Sequence, residues 1–572
     1  MHFGHTRVEA LCERYTSCVR RYLLGIAVLT LVALGASSVA AQADWTTYHG
    51  DAALSGVDQS SGTGLPVSLA WQVPGLAGTM WAEPLVFQGL VIVATETDDL
   101  YAFNEATGAQ VWHVNVGAPV PSSELPCGDI SPSVGITSTP VIDPSTGTLY
   151  AVADLSSGSS ASHTLVAYNV RTGAQLFTRS VEPPSDPLNQ LQRPGLGLDQ
   201  GRVLIGFGGN DGDCAQYKGF LVSAPANNIG ANDIYTVPTT REGAIWAGGG
   251  APAVDASGNV FVATGNAADG PGQPYDHGDT VEKLSPSATE LDYWAPASWA
   301  QDSASDADLG SVAPELLPGN LLYQGGKNGT GYLVSSTSLG HIGGELFSAP
   351  VCNSFGADAY QSGVLYVACS SGVRALNIDA TNHRFSLRWT GPADANGPPI
   401  ISGGLAWVTS TANAKLYGLD PLTGAVVVTE QTPAMEHFTT PAASDGRLFL
   451  ATDSTLSAYT IATVVTPAAP VPSPLPVAPT PIPPKLATCR AKVTVRLRVP
   501  RHERIARVIV YNGHRRVLRR RGVRLRRISL AHLSKGKVTL RLVETPRHGA
   551  RFTLTVHVRN CRVSPSRRHL RA

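Results

Sequence analysis

One hairpin-like unit recurs along this chain and limits the folds open to it. Residues 100–114 read LYAFNEATGAQVWHV. Tyr101, Phe103, Val111 and Trp112 fall on two short runs of β-forming residues. Between them, Glu105 to Gly108 supply turn chemistry, with Gly108 free to take a positive φ. The unit returns at 165–179 as LVAYNVRTGAQLFTR and at 416–430 as LYGLDPLTGAVVVTE, with degenerate copies at 373–388 and 456–463. A single hairpin cannot bury its apolar faces alone, whereas copies stacked around an axis can.

The wider pattern fits such a ring. Segments opening with small residues and Pro or Gly start near Pro84, Thr139, Gly195, Gly249, Val312, Phe355, Pro398 and Thr440. Each runs into an apolar strand: LVIVAT, TLYAVA, RVLIGF, NVFVAT, NLLYQG, VLYVAC, LAWVTS and RLFLAT. Spacings of about 40 to 60 residues match a four-stranded propeller blade with insertions. The last repeat ends one strand short near Ala462, and SLAWQV at 68–73 can supply that strand and close the ring. The expected fold is therefore all-β, an eight-bladed β-propeller, with seven blades as the alternative count. The composition agrees, being 43% apolar but 15% charged, with 58 Gly and 41 Pro in 572 residues. That is a loop-rich β composition rather than a helical one.

The start of the chain reads as a signal peptide over 1–43. Arg20 and Arg21 precede an apolar run at 22–34, then small residues through Ala41-Gln42-Ala43. The mature protein is expected to begin near Asp44 and to be exported, by the Sec or the twin-arginine route, to the cell envelope or beyond. A retained anchor is the alternative. Six cysteines follow the segment: Cys127, Cys214, Cys352, Cys369, Cys489 and Cys561. An even count in an exported chain predicts disulfides, and pairing neighbours within each domain gives 127–214, 352–369 and 489–561.

The formal net charge of zero conceals two opposite halves. From 44 to 466 there are 13 Lys and Arg against 39 acids; from 485 onward there are 26 against two. Between them, 467–484 holds nine Pro in 18 residues. Such a stretch is a polyproline II spacer, about 55 Å long if fully extended. The expected domains are a propeller at 44–466, a Pro-rich linker at 467–486, a basic immunoglobulin-like β-sandwich at 487–562 and a disordered basic tail at 563–572. Alternation at Val493, Val495, Leu497 and Val499, and again at Phe552, Leu554, Val556 and Val558, supports the sandwich. Its Arg-rich faces fit anionic envelope polymers or lipid headgroups. Docking on the acidic propeller of the same chain is the alternative. Stacking aromatics are scarce there, so no nucleic-acid partner is expected, and the protein is expected to be a monomer.

The segment WTTYHGDAALSG at 45–56, the hairpin unit and the blade spacing resemble pyrroloquinoline quinone (PQQ)-type propellers over residues 44–463. That superfamily includes quinoprotein alcohol dehydrogenases, polyvinyl-alcohol dehydrogenases and a non-enzymatic outer-membrane assembly scaffold. In it the tryptophan closing the repeat docks on the next blade, the role Trp112 matches. The resemblance also implies a site within 241–334. There Asn266, in VATGN, matches a calcium ligand. Asp306 matches a catalytic base, with Asp302 and Asp308 less close. Lys327 matches the cation on the quinone oxygens, and Trp246 the platform under the planar cofactor. The family's glutamate ligand has no clean match; Asp213 and Asp211 are approximate substitutes, and no vicinal Cys–Cys pair is present. The chemistry implied is coherent: calcium takes oxygen ligands and polarises a quinone carbonyl, a carboxylate accepts the alcohol proton, and the cofactor does the redox step. Two functions follow. One is an exported binding or scaffolding propeller with a partial quinoprotein-like site. The other is a PQQ- and calcium-dependent dehydrogenase oxidising an alcohol. No GxSxG elbow, phosphate-cradling loop or zinc cysteine pattern is present.

Overall fold

The computed structural model describes residues 44–58, 65–158, 160–268 and 270–461, together with strand segments between 493 and 564. The expected signal peptide, the Pro-rich stretch and the 489–561 bridge lie outside the described residues. The chain divides into two units, Met1–Val465 and Thr466–Ala572.

The first unit is a ring of eight sheets. The inner strands are Leu85–Phe87, Val141–Asp143, Gly197–Asp199, Ala253–Val254, Glu315–Leu317, Ala359–Gln361, Ile400–Ser402 and Ala442–Ser444. Each opens a four-stranded antiparallel blade, numbered 1 to 8 in this order. Blade 4 adds a parallel edge strand, His341–Ile342. All eight blades begin where the apolar runs place them. In blade 8 the fourth strand is Val67–Val73, paired antiparallel with Thr455–Ile461, so the N-terminal strand closes the ring. Interior strands such as Leu405–Ser410 are buried throughout. On outer strands such as Gln110–Asn115 only one side chain in the middle, Trp112, is buried.

That tryptophan locks one blade to the next. Trp112 Nε1 donates to the Val170 carbonyl at 2.9 Å. Its ring lies on Gly173, where a Cβ would come within 2.9 Å of it. Trp71 repeats the arrangement on Glu105 O (3.0 Å) and Gly108, and Trp389 on Pro421 O (3.1 Å) and Gly424. The receiving turns share one construction. The side chain of Asn104, Asn169 or Asp420 accepts backbone N–H groups two and three residues on. Gly108, Gly173 and Gly424 then take φ of 70°, 66° and 72°. Glycine is required there twice, for the left-handed backbone and for the ring above it.

A second N-terminal device lies along the axis. Residues 45–58 cross the ring on its inner side and hydrogen-bond blade after blade. Trp45 exchanges backbone bonds with Val86, Thr46 O accepts from Ile142, and Ala52 O accepts from Val254. Ser55 O then accepts from Tyr360, and Gly56 O from Ile401. Glu83, fully buried, fixes the segment by accepting Trp45 Nε1 (3.0 Å) and His49 N (2.8 Å). Two disulfides form as expected, Cys127–Cys214 and Cys352–Cys369. Disulfides persist in oxidising compartments, so the pair marks the chain as exported.

The second unit contains a two-stranded sheet, Val493–Arg496 with Arg527–Leu530, and a five-stranded one. The latter runs Arg515–Arg521, Ile505–Asn512, Val538–Pro546, Phe552–Arg559, Arg562–Ser564. Val495, Ile528 and Leu530 of the first share one apolar cluster with Val508, Val510, Leu540, Leu542 and Val558 of the second.

The docking geometry predicts a sharp contrast on one strand. Trp112→Ala, at a site 7% exposed, is expected to cost about 3–5 kcal/mol. Its neighbour Val111, 48% exposed, is expected to cost under about 1 kcal/mol when changed to Ala. Urea unfolding of the two variants measures the difference; equal effects would contradict the docking role.

Candidate functional site

The ends of the inner strands decide what faces the axis. Trp81, Arg193, Ser311, Phe355 and Phe438 each stand four residues before an inner strand, those of blades 1, 3, 5, 6 and 8. Together they line an open cavity at the entry end of the strands. Trp246, Asp308 and Lys327 join the same wall, as do Asp129, Asp211 and His437. The Cys127–Cys214 bridge ties the segment bearing Asp129 to the one bearing Asp211.

Trp246 is held by the turn that follows it. Ala247, Gly248 and Gly249 have φ of 50°, 52° and 93°. A Cβ on Gly248 would sit 2.4 Å from Gly356 N, one on Gly249 2.6 Å from an Arg193 nitrogen, and one on Gly250 2.8 Å from Ala313. The three glycines therefore let the turn pass between neighbouring blades and Arg193, with Trp246 at its mouth.

The other residues expected from sequence form one network beside the cavity. Lys327 Nζ forms a very short ion pair with Asp308 Oδ2 and lies 3.1 Å from Asp306 Oδ1. Asn266 donates from its backbone to Asp308 Oδ1 (2.7 Å) and from Nδ2 to Asp306 Oδ1 (2.8 Å). Its Oδ1 is buried and has no hydrogen-bond partner. Burial opposes the Lys327 charge, but Asp308 and then Asp306 outweigh it and hold the ammonium above its ordinary range. Asp306, at φ 53°, turns outward with its side chain 73% exposed, whereas the Asp308 side chain is 12% exposed and lines the cavity. Asp302 sits in the short helix Trp299–Ala304 and is taken up by Ser298 Oγ (2.8 Å) and Asn328 Nδ2 (3.0 Å). Asp213 accepts the Tyr217 hydroxyl at 2.5 Å. Desolvation raises its pKa, and the charges of Asp308 and Asp306 add to the rise.

Arg193 is the residue that motif reading passed over. It is 8% exposed. Its guanidinium lies 5.2 Å from the Trp81 ring centre and 5.9 Å from that of Phe438. Phe355 stacks on Phe438 at 5.7 Å, and His437 meets Trp81 edge-on at 4.7 Å. Among the described residues no carboxylate stands within ion-pairing distance of Arg193. Burial is the chief influence on its charge, opposed by Glu96 and Asp129 from farther off. Glu96 does not supply a full counter-charge. Burial raises its pKa to about 8, although it accepts Gly135 N (2.7 Å) and Thr137 Oγ1 (3.0 Å). Nearby Asp98 is pushed to about 9, again by burial and then by Asp154 and Glu96.

These raised acids give a pH dependence with a definite sign. Between their ordinary range and about 8 to 9, the folded state keeps protons that the unfolded chain releases. Folding stability then falls as pH rises across that window. The thermal midpoint is expected to drop steadily from pH 5 to pH 9, and less steeply in Glu96→Gln. An identical slope in the variant would contradict the assignment.

Comparison with known proteins bears on the fold. A family model described as outer membrane protein assembly factor BamB matches residues 50–268. The quinohemoprotein alcohol dehydrogenase of Comamonas testosteroni shares 14% identity, over 73% of this chain and 80% of that one, at a TM-score of 0.57. The enzyme ADHIIG of Pseudomonas putida HK5, also a quinohemoprotein alcohol dehydrogenase, shares 13% identity over 78% and 83%, at 0.54. A europium-containing methanol dehydrogenase shares 12% over 73% and 98%, at 0.55. No curated protein matches the chain. At these identities the likeness is one of fold alone, and the propeller unit of this chain is an eight-bladed β-propeller.

Proposed function

We propose that this protein is an exported binding and scaffolding propeller whose axial cavity takes a flat, anionic ligand. The observation that carries this reading is Arg193, buried between Trp81 and Phe438 without a paired carboxylate. A guanidinium that lines a cavity without a carboxylate against it can donate a charge-assisted hydrogen bond to an anion, while the aromatic walls of Trp81, Trp246, Phe355 and Phe438 suit a planar ring. The basic second unit, with its 26 Lys and Arg against two acids, would hold the protein on anionic envelope polymers or headgroups through charge.

The lining of the cavity favours a flat ligand over a calcium ion beside it. Asn266 Oδ1 is an available oxygen. Asp213 is engaged by Tyr217, and Asp306 and Asp308 by Lys327. Among the described residues these acids do not converge on a common point as a calcium cage requires. The unpaired Asn266 oxygen is the one observation that favours the second reading, a PQQ- and calcium-dependent alcohol dehydrogenase.

Both readings are separated by titrating the full chain with PQQ, with and without calcium, while following tryptophan fluorescence. The binding reading expects saturable, calcium-independent quenching, weakened at least tenfold in Arg193→Met. Equal affinity in that variant would sink it. Dye reduction that needs calcium and an alcohol, and is lost in Lys327→Ala and Asp306→Asn, would establish the dehydrogenase instead. For the second unit, retention on anionic envelope material is expected to fall with salt and with deletion of 485–572. Retention unchanged by that deletion would remove the anchoring role.

A further inference from the structure

A separate group of side chains lies on blade 4, at its third and fourth strands. His277 ends the long loop between Val260–Ala263 and Val281–Leu284. Glu282 lies on the third strand and is fully buried. Glu290 opens the fourth strand and is exposed. One ligand-capable atom from each of the three lies within 4.8 Å of the others.

The group is already ordered. His277 sits at φ 64°, and its carbonyl accepts Thr264 Oγ1 at 2.7 Å. Its ring packs against Tyr275 at 4.7 Å and Tyr293 at 4.9 Å, which fixes its orientation. Nδ1 lies 2.8 Å from Glu282 Oε1. The Tyr235 hydroxyl, from the outer strand of blade 3, is buried against the Glu282 carboxylate and interacts with it. A fully buried carboxylate, next to an oriented imidazole and a second carboxylate, is a donor set that a cation would complete.

We propose that His277, Glu282 and Glu290 form a binding site for a divalent transition metal of the zinc class. One nitrogen and two carboxylate oxygens are a usual zinc donor set, with bonds of about 2.0–2.2 Å. Tetrahedral ligand atoms are then about 3.4 Å apart, so closure from the present spacing asks for a small movement. Glu290, the exposed member, is the one free to make it. Three protein ligands leave a fourth position for water. The hard-oxygen preferences of calcium and magnesium are not met by an imidazole. The ion would join the loop to two strands of blade 4, on the side where Tyr235 of blade 3 packs. The site is remote in sequence from Arg193 and independent of the cavity reading.

The test is a zinc titration of the metal-free full chain against a chromophoric chelator, repeated with cobalt for its visible absorption. One equivalent is expected to bind to the wild type, with the cobalt spectrum of a four-coordinate nitrogen–oxygen site. Glu290→Gln, an exposed change that leaves the fold intact, is expected to weaken binding at least tenfold, and His277→Gln to do the same. Zinc is expected to raise the thermal midpoint of the wild type and not that of Glu290→Gln. No saturable binding by the wild type, or the same affinity in wild type and Glu290→Gln, would overturn the proposal.

Discussion

A ring has one seam, and here the seam is a single β-ladder. Val67–Val73 pairs with Thr455–Ile461, joining the two ends of a unit whose other blades follow in sequence. The same strand carries Trp71, which docks on the turn of blade 1 at Glu105 and Gly108. Closure and blade-to-blade locking thus meet in seven residues. Without that strand, the third strand of blade 8 becomes an open edge, and blade 1 loses the ring that covers its turn.

The N-terminal segment at 45–58 supplies the second constraint. It runs along the inner strands before the ring-closing strand begins, and buried Glu83 holds it by two hydrogen bonds. Glu83 is fully desolvated, which raises its pKa well above the ordinary carboxylate range. At the entry end of the strands the ring widens into a cavity with a different chemistry: aromatic walls, one unpaired guanidinium, and a lysine shared by two aspartates. The architecture separates an axial segment that holds the blades from a chamber that a ligand can enter.

Much of this is legible in the sequence, and the reason is periodicity. The hairpin unit fixes the turns, because Asn or Asp followed by Gly can be satisfied in few ways. The apolar runs fix the eight blades, and two cysteine pairs follow from proximity in the chain. The docking role of Trp112 is implied by the resemblance of its repeat to PQQ-type propellers, and its bond to Val170 agrees. The cavity is less legible, since five of its lining residues come from five different blades, four positions ahead of the inner strand in each. Those positions hold Trp81, Arg193, Ser311, Phe355 and Phe438, which share no residue type and no motif. Counting back from the blades finds them; matching a family pattern does not. The pattern does lead to Trp246 and Lys327 in the cavity wall. It favours Asp306 over Asp308; the Asp306 side chain is exposed, whereas Asp308 lines the cavity, and both hold Lys327. The segment at 45–56 reads as a family mark, and its role along the axis emerges only once the ring is built.

The central claim is that the chamber exists to receive a flat anion at Arg193. A crystal structure of the full chain soaked with PQQ tests it most directly. The account predicts planar density between the aromatic walls, with a ligand carboxylate on the Arg193 guanidinium. Water alone in the chamber, or ligand bound only elsewhere on the propeller, would contradict it.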